Sequence, residues 1–594
     1  MKRFLVTTAL EETWRDDEPV LFLGEWCRRH SRRDRWSKLN AETLPYHWDD
    51  RAKLYADYQY LQEFHERLLS DTAVELNRIH NVDHDLRYWR ILIGPWLGYF
   101  TQMLFDRWTS IQHALSRHEL SGTIVLTGGE EALVPNDMAD FIRLFVGDEW
   151  NHHIYASILK RVRPASCVER ERSDAKGPSN AAPAAGPKKR LKHFLAACYA
   201  RAASVLTRDQ DAFFLDTYLP LRDEMRLHRR FGQAPQSWRS RPPVRTAVDA
   251  SRRRWIVGGK NLSEFEACAR ALIPGQIPAA YLEGYGRLLE QTAKLPWPRR
   301  PRVIWTSNAH EADDVFKAWA ADKVEKGSPL VIGQHGGHYG LGLWSFCESH
   351  ETAISDRYLS WGWTEPGKSN IEALGQFKAK RPLGVRHAEQ PDALLVTMVL
   401  PRYSYFMYSI PVARQWLDYL GDQFSFVEHL PRSIRDALTV RLLPHDLGWD
   451  QAARWRDRFP ALRLDEGRSA LDDLMRRSRL YISTYNATTF LESFTMNVPT
   501  VIYWNEKHWE LRDSAIPFFE DLKRVGIFHE TPESAARHTA AVWDDVDAWW
   551  SSPEVREVLE RFKARYCRLP DDLLDRLERS LRAVIAAADE TSAR

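Results

Sequence analysis

The stretch "VIGQHGGHYGLG", residues 331–342, decides how this chain is read. It opens as an apolar run of strand type, then breaks into His335, His338, Tyr339 and the glycines 336, 337, 340 and 342. The same pattern recurs along the second half of the chain. Apolar runs stand at "RVIWTSN" (302–308), "LVIGQHG" (330–336), "RYLSWGW" (357–363), "ALLVTMVL" (393–400), "LTVRLLPH" (438–445), "LYISTYN" (480–486) and "TVIYWN" (500–505), mostly with helix-length segments between them. Strands alternating with helices imply right-handed βαβ units and a parallel sheet covered on both faces, so residues 300–545 are expected to form one doubly wound lobe.

In such a sheet ligands bind beyond the carboxyl ends of the strands. The residues there form a coherent set: "SNAH", "QHGGHYG", "PRYSY" with Arg402, "PHD" with His445, and "STYNATTFLE", with Arg441 inside the fifth strand near its end. Gly336 and Gly337 let backbone N–H groups approach a ligand, His335 can donate to a phosphate oxygen, and Gln334, His338 and Tyr339 can line the same pocket. A glycine-rich turn around a core histidine is the plain alternative. A zinc site from His335 and His338 lacks a third ligand at recognisable spacing, so no metal is expected.

The turn "YISTYNATTFLE" crowds Ser483, Thr484, Asn486, Thr488 and Thr489 where a strand gives way to a helix, a natural anion site. Glu492, one turn further on, is placed to accept from a ribose hydroxyl. A serine/threonine helix cap would account for the helix start alone.

The first half reads as strands near 3–8, 20–23 and 123–127, with long helices over about 50–118, and another strand in "DAFFLDTYLP" at 211–220. Residues 163–190, rich in Pro, Ala, Gly, Ser and charge, read as a disordered insertion. "KLPWPRRPR" at 294–302 reads as an interdomain connection. The expected plan is therefore a first α/β lobe over 1–295, a second lobe over 300–545 and C-terminal helices over 546–594.

At 594 residues the chain is too long for one core, and 83 Lys+Arg against 81 Asp+Glu leave a net charge of +2, no field for gathering nucleic acid. Six scattered cysteines fit neither a disulfide framework nor a zinc ribbon and point to a reducing, cytoplasmic setting. "YWRILIGPWLGYFTQMLF" (88–105) contains Arg90, Pro95 and Gln102 and reads as a buried or interfacial helix rather than a membrane span. "RRHSRRDR" (28–35) offers a peripheral contact with an anionic membrane at the inner membrane, or simply a solvated helix face.

The order "QHGG.YG", "RLLPHD", "STYNATTFLE" resembles bacterial GT-B glycosyltransferases of surface-polysaccharide pathways and, more distantly, CDP-glycerol glycerophosphotransferases and polysialyltransferases. The His-Pro order of the latter is reversed here to Pro444-His445. More specifically, "FLVTTALEETW", "LFLGEWC", "YHWDDR", "RYWRILIGPWL" and "DEWN" resemble the lipopolysaccharide-locus transferases first noted in Leptospira, over nearly the whole chain outside 163–190. The resemblance implies two Rossmann-like lobes facing a cleft, a nucleotide-sugar donor, a glycan or lipid-linked glycan acceptor, and neither cofactor nor metal.

An inverting displacement then needs a general base on the first domain. Glu11 and Glu12 follow the first strand and Glu25 the second, with Glu12 favoured; Asp148, Asn151, Asp216 and Tyr218 are candidates for holding acceptor hydroxyls. A CMP-linked ulosonic acid is the leading donor, with UDP- and GDP-sugars beside it. A CDP-polyol phosphotransferase using His335 with His445, or a non-catalytic scaffold of envelope-glycan assembly, are the other readings.

Overall fold

The computed structural model describes residues 2–163, 166–172, 205–378 and 392–593. It contains three parallel sheets. Sheet I consists of β1 (Arg3–Val6), β2 (Val20–Phe22), β3 (Ala41–Thr43), β4 (Leu120–Thr127) and β5 (Cys167–Glu171), in the order β3-β2-β1-β4-β5. Sheet II consists of β6 (Phe213–Leu215), β7 (Ile304–Thr306), β8 (Leu330–Gly333), β9 (Arg357–Ser360) and β10 (Ile371–Ala373), in simple succession. Sheet III consists of β11 (Asp392–Val396), β12 (Leu438–Arg441), β13 (Arg463–Asp465), β14 (Ser478–Ser483), β15 (Thr500–Tyr503) and β16 (Phe528–His529), in the order β13-β12-β11-β14-β15-β16.

The α/β class holds, but the boundary moves. The runs expected to share one sheet over 300–545 divide: β7, β8 and β9 join β6 in sheet II, and only β11 onward build sheet III. Alternation specifies parallel strands without saying which strands pair. The segment expected to be disordered is partly regular, since Cys167–Glu171 pairs with Thr123–Thr127; the rest of it, from residue 173, lies outside the described residues. β5 carries little apolar signal because it is a mostly exposed edge strand.

Sheet II shows why these strands read as continuous apolar runs. Ile304, Leu330 and Ile332 face the large core that runs through all three sheets, while Trp305 and Val331 face a second cluster closed by Leu577, Leu581 and Val584 of the C-terminal helix Leu573–Ala593. Burial on both faces removes polar alternation. Two long helices fill the space between β3 and β4. Helix α1 (Arg51–His80) starts at Asp50, whose carboxylate accepts from the Lys53 N–H, and α2 (Leu86–Arg117) starts likewise at Asp85. Helix α2 is the apolar segment around Pro95 and is buried almost throughout, against α3 (Phe346–Ile354) behind sheet II. A Cβ on Gly98 would lie 1.9 Å from the Phe346 ring, so that crossing requires glycine. No helix among the described residues is long and apolar enough to cross a membrane.

Sheets II and III turn their carboxyl edges toward each other. The loop after β8 is stitched to sheet III by backbone bonds: Leu343 N–H to Glu510 O (2.9 Å), Arg512 N–H to Leu341 O (2.9 Å), Ser409 N–H to Trp344 O (3.0 Å) and Phe346 N–H to Met407 O (3.0 Å). In sheet III the strand order reverses between β11 and β14, the crevice where open α/β sheets take ligands.

Candidate functional site

Three neighbouring strand ends of sheet II supply one wall. Asp216 follows β6 with an exposed side chain and φ 49°, and Tyr218 has φ 62°. Two non-glycine residues in the left-handed region within one turn are strained backbone, which clusters at functional sites. Beyond β7 the chain brings in His310, and beyond β8 it brings His335. Gln334 shapes the latter loop: its carbonyl accepts from Trp361 N–H (2.9 Å) and Trp363 Nε1 (2.8 Å), and its amide donates to Gly336 O (2.7 Å).

His310 and His335 converge on Glu351 of α3. His310 Nε2 is 3.3 Å and His335 Nδ1 3.6 Å from Glu351 Oε1, to which Tyr339 OH donates at 2.8 Å. Burial pushes His310 down to about 4, lowers His335 and raises Glu351 to about 7, so the imidazoles are neutral at pH 7. His335 keeps 21% side-chain exposure, and His310 (3%) and Glu351 (1%) lie behind it. His338 turns away, its Nε2 3.5 Å from Ser409 Oγ and from Trp344 O.

The facing wall is the threonine-rich turn. Helix α4 (Thr488–Thr495) begins at Ala487 without any side-chain cap, so the turn's hydroxyls are not spent on the helix start. Thr484 Oγ1 donates to Val396 O (2.9 Å), and Thr489 Oγ1 to Tyr485 OH (3.0 Å). Ser483 and Asn486 are buried, the latter with neither amide atom hydrogen-bonded among the described residues. Glu492 lies half-buried one turn into α4. The walls touch where Gly337 N–H donates to Thr488 Oγ1 at 3.1 Å. A Cβ on Gly337 would lie 2.5 Å from Ala487 O and 2.7 Å from Thr488 N, backbone against backbone.

The arginines picked out from the sequence are engaged elsewhere. Arg441 pairs with Asp465 (2.7 Å), and Arg402, 4% exposed, pairs with Asp148 (2.6 Å) and donates to Trp26 O. Asp148 also accepts from Tyr403 OH and so joins the sheet I side to the segment after β11, while Asn151 accepts from Arg107 Nη2 (2.7 Å) within the first half; neither offers a free group to an acceptor. Arg402→Ala removes the ion-pair partner of the half-buried Asp148 carboxylate, which keeps the Tyr403 hydroxyl and the Ala9 N–H, and is expected to cost about 1–3 kcal/mol, measured by denaturant unfolding. His445 is exposed, and no contact joins it to His335 among the described residues.

Of the expected bases, Glu11 is held by Arg32 and Arg35, and the Arg32 guanidinium keeps its carboxyl below the ordinary range. Glu25 pairs with Arg28 (2.8 Å). Glu12 is half-buried near Glu149, its backbone carbonyl accepting from Arg170. The basic run 28–35 is spent largely the same way, His30 and Arg33 both reaching Asp457 beyond β12. His310 stands out beforehand only as part of the strand-end "SNAH". Glu351 has no local signal, since a helix behind the sheet delivers it.

No curated protein matches this chain. Among solved structures, it is similar to TarM with 12% identity and TM-score 0.31, covering 48% of this chain and 54% of that one, about half its length. A UDP-N-acetylglucosamine 2-epimerase from Listeria monocytogenes gives 12% identity and TM-score 0.36, covering 64% of this chain and 96% of that one. The wall teichoic acid polymerase TagF gives 11% identity and TM-score 0.29, covering 51% and 84%. At such values the sheet order above, not these likenesses, defines the fold. The model of the LIC12162 family transferases matches residues 3–581, and the chain belongs to that transferase family.

Proposed function

We propose that the protein is a metal-independent, inverting glycosyltransferase of surface-polysaccharide or lipopolysaccharide assembly, moving a sugar from a nucleotide donor to a glycan or lipid-linked glycan. The observation that carries this is the Gly337–Thr488 bond, which joins the imidazole-glycine loop to an uncapped helix N-terminus at the switch point of sheet III. The donor phosphate sits against the first N–H groups of α4 and the Thr488 hydroxyl, with Glu492 toward the ribose. His335 donates a hydrogen bond to the departing oxygen.

Asp216, on the same edge of sheet II as His335 and in no ion pair among the described residues, takes the proton of the attacking hydroxyl. The new bond to the anomeric carbon forms as the bond to phosphate breaks. Acceptor sugars enter beside the other end of the loop after β8, where a cavity of about 400 Å³ is lined by Tyr55, Trp344, Trp363 and Arg512. Arg402, Arg441 and Arg512 are each ion-paired, so a leaving group of low charge suits the site better than a diphosphate. That favours a nucleoside monophosphate and hence a CMP-linked ulosonic acid.

Thermal-shift titration with CMP, CDP, UDP and GDP tests the reading. CMP is expected to give the largest rise in melting temperature. No rise with any of the four would remove the nucleotide site.

A further inference from the structure

We propose that His310, His335 and Glu351 form a binding site for one divalent transition-metal ion of the zinc type. The donor set is two imidazoles and one carboxylate, each on a different element: the segment after β7, the loop after β8, and α3. One ligand atom from each lies within 4.8 Å of the others. The two separations from Glu351 Oε1, 3.3 and 3.6 Å, match the edges of a tetrahedron around an ion, since ligands about 2.0–2.1 Å from zinc stand roughly 3.3–3.4 Å apart.

The hydrogen bonding points the same way. Neither imidazole makes a hydrogen bond to the carboxylate despite that proximity, and His335 Nδ1 and Glu351 Oε2 are buried without a partner among the described residues. Buried polar atoms left unpaired are costly, and an ion held by Glu351 Oε1 would satisfy His335 Nδ1. Tyr339 OH, donating to the same carboxylate, is an outer partner that would orient it. Two imidazoles and a carboxylate suit zinc, cobalt or iron rather than calcium or magnesium. Coordination through His335 Nδ1 leaves Nε2 beside the Tyr339 hydroxyl (3.3 Å), and the partial exposure of that residue leaves room for a water or hydroxyl as fourth ligand. The three ligands lie on the segments after β7 and β8 and on α3, none on α4, so the ion does not replace the grip of the α4 N-terminus on the donor phosphate proposed above.

The test uses the untagged full chain, stripped with chelator and dialysed. Titration with Zn²⁺, followed by elemental analysis, is expected to give one equivalent bound, and Co²⁺ the visible absorption of a tetrahedral nitrogen and oxygen site. His310→Ala and the isosteric Glu351→Gln should each weaken binding by more than the roughly 10–100-fold that loss of an outer partner costs, with His429→Ala unchanged. Circular dichroism checks folding, and a zinc-dependent rise in the wild-type melting temperature gives a readout independent of the variants. Less than stoichiometric zinc on the wild-type chain, or binding that survives both substitutions in folded protein, overturns the proposal. Nucleotide binding is read separately, so the two conclusions fail independently.

Discussion

Gly337→Ala is expected to abolish the nucleotide-dependent rise in melting temperature while leaving the chain folded. The added methyl meets the Ala487 carbonyl and the Thr488 nitrogen, and neither is the end of a side chain that could rotate away. The loop after β8 must therefore lift off the start of α4. Overpacking of this kind costs about 1–3 kcal/mol. If that falls on the bound state, affinity drops roughly tenfold to hundredfold. Thr488→Val approaches the contact from the other side, keeping its shape and removing the oxygen that accepts from Gly337. Both variants should lose nucleotide binding by isothermal calorimetry. Unchanged affinity in both would place the donor elsewhere.

Asp216→Asn is the second large effect, and it should spare binding. Removing a general base costs about 10²–10⁴ in turnover, with the nucleotide affinity retained. Although the side chain is exposed, neighbouring protein strips part of its hydration and raises its pKa above the ordinary carboxylate value. The sign follows from the role: only the unprotonated carboxylate accepts a proton, so turnover falls as pH drops through that raised pKa. The acid limb of kcat/KM should thus lie above the ordinary aspartate value and vanish in Asp216→Asn. Glu12→Gln serves as comparator and should turn over normally. If it is the inactive variant instead, the base belongs to sheet I.

Much of this architecture can be read from residues, because strands buried on both faces leave unbroken apolar runs, as in Val303–Thr306 and Leu330–Gly333. Edge strands do not: Ala41–Thr43 and Arg463–Asp465 are short, polar and largely exposed or half-buried, and nothing in their composition marks them. The glycine loop and the threonine turn could be found separately, since each has a local chemical signature. Their contact could not, because it joins residues 151 positions apart on different sheets. Charged residues misled for a related reason. Arg402 and Asp148 look like ligand-binding groups in isolation, and only the fold shows that they satisfy each other in a buried junction.

The backbone stitching of the 341–346 segment to both 407–409 and 510–512 bears on how the enzyme would turn over. Opening the two halves like a clamshell would tear several main-chain hydrogen bonds at once, each leaving polar groups to be rehydrated. The proposed donor pocket would thus be a fixture built before substrate arrives, and substrates would reach it by threading through a standing mouth while the scaffold holds still.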